Sequence, residues 1–343
     1  MSGRYGLRSA AVSPEPPEPA ESFASSDPGD RILPAPRQAR IGELTVSYLD
    51  FGELFPEGRR SARSAQPLLA LHGTFGRGAA FAEVGRRLAA DGRFRLIALD
   101  QRGHGYSDRA DDYGADAFVA DAAAFLRLLG ESVGDGPLPV LGHSRGGITA
   151  YQLAARHPES VSSLIIEDVG PVMRRPEVEH PVLPVRGWPS SAPTRAELGA
   201  AIEAAGAPDS GYFLQSAVPV PDDGPYGDRD AGRYSGPYGA REGELGEGSA
   251  RRWRLLFDWD DMMAVQHSGV GDWWADWLGS RCPALVLRGG ASTMLPAELA
   301  RRMAELRPHT RLVEFPRAGH WIHEDDPGGV AEVVSGFLSG LGR

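Results

Sequence analysis

Short apolar runs alternate with longer stretches of helical periodicity along most of the chain. Residues 44–49 (Leu-Thr-Val-Ser-Tyr-Leu) alternate apolar and polar positions, the two-residue repeat of a half-buried strand. Apolar runs at 68–71, 94–99, 138–141, 161–166, 284–287 and 311–315 predict further strands. Between them, 79–90, 115–129, 146–156, 296–306 and 330–341 predict helices, the fourth opened by Pro296 in its first turn. Strands that alternate with helices predict an α/β fold, a mainly parallel sheet with helices on both faces.

Two stretches break this rhythm. Residues 1–38 hold seven of the 28 prolines and no apolar periodicity, and they are read as a disordered leader. More than a hundred residues separate the strand ending at Ile166 from the one starting at Ala284, too many for a plain connection. Residues 172–279 are therefore read as a helical cap inserted into a core made of 39–171 and 280–343. Inside the insertion, 251–266 and 272–278 predict helices. Residues 219–249, with eight Gly and four Pro, predict a mobile loop. Residues 53–66, rich in Arg and Ser, predict another loop. Six of the seven tryptophans fall in the insertion, where they are expected to anchor it to the core or to line a ceiling over an apolar ligand.

Composition narrows the function classes. The chain has 343 residues and a formal net charge of −10, which argues against a nucleic-acid or anionic-membrane partner. No run approaches eighteen apolar residues, and the first twelve lack the apolar core of a secretory signal, so a cytoplasmic location is expected. The single cysteine, Cys282, excludes an internal disulfide and a cysteine-based zinc cluster. Every basic residue is Arg; the chain has no Lys and no Asn.

The densest chemistry lies at Gly142-His143-Ser144-Arg145-Gly146, a Gly-x-Ser-x-Gly between a predicted strand and a predicted helix. Glycines at both ends allow a tight strand-to-helix turn that lifts Ser144 above the carboxyl ends of the strands, beside a helix N-terminus. That context makes Ser144 a candidate nucleophile. Upstream, His72-Gly73-Thr74 follows the strand at 68–71. The backbone N–H groups of Thr74 and Arg145 are the natural pair of donors for an oxyanion. The His72 ring is expected to tie that loop down. Downstream, Gly319-His320-Trp321 follows the last strand, and His320 is the candidate general base. His323 is expected to cap or to be exposed, and His104 to sit in a tight structural loop.

On the motifs His72-Gly73-Thr74, Asp100-Gln101-Arg102-Gly103-His104-Gly105-Tyr106-Ser107, Gly142-His143-Ser144-Arg145-Gly146 and Gly319-His320-Trp321, the chain resembles the α/β-hydrolase superfamily. The resemblance is to its capped, serine-nucleophile type, which includes esterases, lactonases, C–C bond hydrolases and haloperoxidase-like enzymes. It covers residues 41–341. It implies a serine hydrolase acting on an ester or lactone of an apolar or aromatic small molecule, without metal or organic cofactor. The same fold also hosts lyases, cyclases, C–C bond-cleaving enzymes and ligand receptors, which stay open as alternatives. The oligomeric state is also open, a homodimer included.

The acid departs from the pattern of the resemblance. Relatives usually carry it after the strand at 284–287, where this chain has Arg288-Gly289-Gly290-Ala291-Ser292-Thr293 and no carboxylate; Thr293 takes the slot. Some relatives place it one strand earlier, where this chain has Glu167-Asp168. Asp168 is the better placed of the two. A serine–histidine dyad without an acid, or an acid elsewhere, remains open. The Arg145 side chain is expected to form a salt bridge to a neighbouring helix or to the cap. Asp258, Asp260, Asp261 and Asp272 are expected on solvated faces.

Overall fold

The computed structural model describes residues 33–54, 65–133, 136–221 and 251–341. The first half of the core runs β1 (Arg37–Ile41), β2 (Leu44–Asp50), β3 (Gln66–Leu71), α1 (Ala82–Asp91), β4 (Phe94–Leu99), α2 (Ala115–Val133), β5 (Leu138–His143), α3 (Arg145–Arg156) and β6 (Val161–Glu167). The insertion follows, with β7 (Val172–Met173), β8 (Ser191–Ala192), α4 (Arg195–Ala204), α5 (Gly211–Leu214), β9 (Ala217–Pro221), β10 (Arg251–Leu255), α6 (Trp259–Gly269), β11 (Gly271–Asp272) and α7 (Trp274–Gly279). The core resumes with β12 (Ala284–Gly289), α8 (Ala297–Leu306), β13 (Thr310–Phe315), α9 (Ile322–Asp325) and α10 (Pro327–Leu341).

The main sheet has the order β1-β2-β4-β3-β5-β6-β12-β13. β1 and β2 join antiparallel, and every pairing from β4 to β13 is parallel. All six residues of β5 and of β12 are buried, as covering helices on both faces require. One face packs Val119, Leu126, Leu153 and Met303 from α2, α3 and α8. The other packs Val84, Leu88, Val334 and Phe337 from α1 and α10. The parallel strands all end on one edge. The loops after β3, β5, β6, β12 and β13 therefore meet there, the usual place for a site in an open α/β sheet.

The insertion differs from its sequence reading. Residues 251–255 form strand β10 rather than the start of a helix, and helix α6 begins at Trp259 with Asp258 as its cap. Strands β8, β10 and β9 form a small antiparallel sheet. β1 begins at Arg37, two residues inside the stretch read as leader. Residues 79–81 belong to a 3-10 turn that precedes α1. Most of the predicted loops at 53–66 and 219–249, and residues 1–32 of the leader, lie outside the described residues.

Trp277 is fully buried, donates Nε1–H to the Met303 carbonyl at 3.2 Å and meets Tyr151 edge-on. Asp261 is no solvated side chain, because Arg109 reaches it through two hydrogen bonds of 2.5 and 2.8 Å and Tyr113 through a third of 2.8 Å. That pair ties α6 to the loop after β4. Among the described residues no helix is long and apolar enough to cross a membrane.

Candidate active site

Ser144 sits between β5 and α3 at φ 51° and ψ −119°, a left-handed backbone on a residue with a side chain. Such a conformation costs about 1–3 kcal/mol and persists only where its surroundings impose it. The flanking glycines show how they do. A Cβ at Gly142 would lie 2.3 Å from the Gly146 carbonyl oxygen, and one at Gly146 would lie 2.1 Å from the Leu71 carbonyl oxygen. The Ser144 N–H donates to the Glu167 carbonyl at 3.0 Å, and its own carbonyl accepts from Gly147 at 2.8 Å. The turn is bonded to the adjacent strand and to the first turn of α3, while the side chain stays partly exposed.

Asp168 follows β6 and is fully buried. Its Oδ1 accepts the Gly289 N–H at 2.9 Å. Its Oδ2 accepts from the Ser292 hydroxyl and from His320 Nδ1 at 2.8 Å. A carboxylate only accepts, so Nδ1 carries the proton and Nε2 is left with a free lone pair. The loop after β12 contributes to the pair after all, through the hydroxyl of Ser292, while Thr293 is exposed. Nothing in the sequence reading singled out Ser292, since a lone loop serine carries no signal of its own.

A second histidine–carboxylate pair lies alongside. His323, expected to cap or to be exposed, is 1% exposed. Its backbone N–H and Nδ1–H both donate to Glu167 Oε1, at 2.9 and 2.7 Å. Its ring lies 4.8 Å from that of His143, whose Nε2–H donates to the His320 carbonyl at 2.9 Å. His143, Glu167 and His323 thus place donor atoms within 4.8 Å of one another, a set chemically suited to a transition-metal ion. Each of the three already bonds within the protein through one side-chain atom, Glu167 to His323 and His143 to the His320 carbonyl, which ties β6 to α9 and β5 to the loop before α9.

His72 anchors the loop after β3. Its Nδ1–H donates to the Gly73 carbonyl at 2.8 Å, and its Nε2 accepts the Gln101 N–H at 3.0 Å. Accepting at Nε2 needs the neutral ring, with the proton on Nδ1. The insertion holds the same loop from above: the Ser216 hydroxyl donates to the Phe75 carbonyl at 2.7 Å, and the Phe75 ring packs on Phe213, Phe257 and Trp259. Phe75 itself has φ 68°. Among the described residues, no protein acceptor takes the N–H of Thr74 or of Arg145. Arg145 forms no salt bridge with any described carboxylate, contrary to expectation.

Burial holds His72 down to about 4 and His104 down to about 3, and pushes His143 well below the usual imidazole range. Below about pH 6.5 the unfolded chain binds protons that these buried rings refuse, so stability falls as pH falls and is fully present above that value. Asp100, raised by burial, works in the opposite direction at lower pH. His72 and His104 together are expected to remove about 3–4 kcal/mol between pH 7 and pH 5. Urea unfolding at the two pH values measures it; equal stabilities would contradict neutral buried rings.

The geometry has counterparts among known proteins. A family model described as the alpha/beta hydrolase fold matches residues 66–327. The chain is 26% identical over 279 residues to the sn-1-specific diacylglycerol lipase ABHD11 of Mus musculus, covering 78% of this chain and 80% of the mouse protein. It is 30% identical over 267 residues to the pimeloyl-[acyl-carrier protein] methyl ester esterase of Chromobacterium violaceum, covering 75% of this chain and 89% of that one. The crystal structure of E-2-(acetamidomethylene)succinate hydrolase superposes with a TM-score of 0.67 at 22% identity, over 89% of this chain and 98% of its own. Fold, strand order and family match agree: the chain belongs to the α/β hydrolase fold family.

Proposed function

We propose that the protein is a serine hydrolase that cleaves an ester or lactone of an apolar small molecule through an acyl-enzyme. The observation that carries this reading is the 2.8 Å bond from His320 Nδ1 to Asp168, which leaves Nε2 as the base, with Ser144 held at the strained turn after β5. Ser144 Oγ attacks the carbonyl carbon while His320 Nε2 takes its proton. The negative oxygen is met by the N–H groups of Thr74 and Arg145 and by the positive end of α3. His320 returns the proton to the leaving oxygen. Water then enters, gives a proton to His320 and attacks the acyl carbon, and His320 passes that proton to Ser144 Oγ as the acid leaves. Asp168 holds the imidazole in the tautomer both steps need. Residues 172–279 act as a cap over this edge of the sheet, with Trp259 and Phe257 against the oxyanion loop.

The lyase and cyclase readings drew their weight from the missing carboxylate at position 293. With Asp168 bonded to His320, that motive falls away. Relatives named as a lipase and a methyl ester esterase support ester cleavage. The test is intact-protein mass after exposure to a small fluorophosphonate. One adduct is expected, absent from Ser144→Ala, followed by turnover of aryl esters. A folded protein that takes no adduct and turns over no ester would overturn the reading.

A further inference from the structure

Arg145 is 3% exposed and has no carboxylate partner among the described residues. NH1 donates to the Thr149 hydroxyl at 2.9 Å, and NH2 reaches the Ser268 hydroxyl only at 3.4 Å. Nε has no hydrogen-bond partner. The guanidinium lies 4.3 Å over the Phe118 ring. Other shielded arginines are provided for differently. Arg102 makes two bonds to Asp121, and Arg307 is surrounded by the carbonyls of Trp277 and Cys282 and the hydroxyl of Ser280. A buried charge without a partner is expensive, and arginine does not escape by losing its proton. Burial lowers Arg145 only to about 10, so it stays charged at neutral pH.

Its position gives that cost a use. Arg145 is the first residue of α3 and the neighbour of Ser144, and the N-terminus of this twelve-residue helix already favours an anion. Helix α6 of the insertion lies across it with Ser268 and Gly269. A Cβ at Gly269 would stand 3.4 Å from Arg145 Cδ and 3.9 Å from Nε, already in van der Waals contact with the Arg145 side chain. Three of the five guanidinium N–H bonds, the Nε–H among them, have no protein acceptor. A fork of this kind matches the two oxygens of a carboxylate.

We infer that the Arg145 side chain is a recognition site for a carboxylate on the substrate, so that the ester cleaved is carried by an acidic small molecule. This rests on the hydrolase reading above and narrows it: the molecule has an apolar body and one anionic end.

The test compares mono-4-nitrophenyl esters of glutaric, adipic and pimelic acid with the 4-nitrophenyl esters of the monoacids in which methyl replaces the free carboxylate. In the wild type at least one charged ester is expected to exceed its neutral partner in kcat/KM by about 10- to 100-fold. Arg145→Met is expected to bring that ratio close to one, mainly through KM of the charged ester, and Arg145→Lys to keep part of it. The wild-type ratio needs no variant to fold. If no charged ester is preferred although the fluorophosphonate adduct forms and neutral esters turn over, the carboxylate site is wrong and the hydrolase stands. If neither adduct nor turnover is seen, both are overturned.

Discussion

Replacing Asp168 by Asn is expected to lower kcat on an aryl ester about 10⁴-fold with little change in KM. The hydrogen bonds explain why an isosteric change is so costly. Asp168 accepts on both oxygens: Gly289 N–H on Oδ1, and Ser292 Oγ–H with His320 Nδ1–H on Oδ2. An amide has one oxygen. The Gly289 N–H is a fixed donor and claims it, which turns the amide NH2 towards His320. The imidazole must then present Nδ1 as an acceptor and carry its proton on Nε2, the nitrogen that should take the proton of Ser144. Ser292 adapts by rotating its hydroxyl, so the fold suffers less than the chemistry. Steady-state kinetics and the rate of fluorophosphonate labelling should fall together. Activity within about tenfold of wild type would mean that another group orients His320, because loss of the correct tautomer cannot be that mild.

The legible parts of this molecule are those whose cause is local. Gly142 and Gly146 stand where a Cβ would strike backbone, so the elbow is written in adjacent residues. The buried parallel strands are apolar on both faces, which marks their positions to within a residue or two. Local signals also existed in the insertion. Thr194-x-x-Glu197 is a capping box that opens α4, and Asp258 caps α6 three residues after β10 ends. Read as punctuation, Asp258 divides a strand from a helix where the periodicity of 251–266 suggests a single helix. What stayed hidden depends on distant partners. His323 stands before Glu324, Asp325 and Asp326, which suggests a wet surface, yet its ring meets Glu167, 156 residues earlier. Ser292 looks like any loop hydroxyl until the fold sets it against Asp168. Arg145 was expected to find a carboxylate, and only the packing of α3 beneath α6 reveals that none of the described ones comes near.

The neighbouring carboxylate should fail in the opposite way. Glu167→Ala is expected to cost about 3–5 kcal/mol of stability, because removing one member of a buried pair strands the other. Glu167 is fully buried and its Oε1 accepts both the backbone N–H and the Nδ1–H of His323. Alanine leaves two buried donors facing a cavity. Glu167→Gln keeps an acceptor in place and is expected to lose much less, about 1 kcal/mol. The damage should reach the reaction only indirectly. His323 packs on His143, and His143 holds the His320 carbonyl, but that last bond is untouched by the substitution. Urea unfolding at pH 7 should therefore show a large shift for Glu167→Ala, while kcat of the protein that remains folded falls far less than for Asp168→Asn. The reverse pattern, with Glu167→Ala stable but inactive, would place Glu167 rather than Asp168 behind the proposed base. Two adjacent residues thus divide the work: Glu167, the last residue of β6, holds His323, and Asp168, just past the strand at φ 50°, turns to His320, the proposed base.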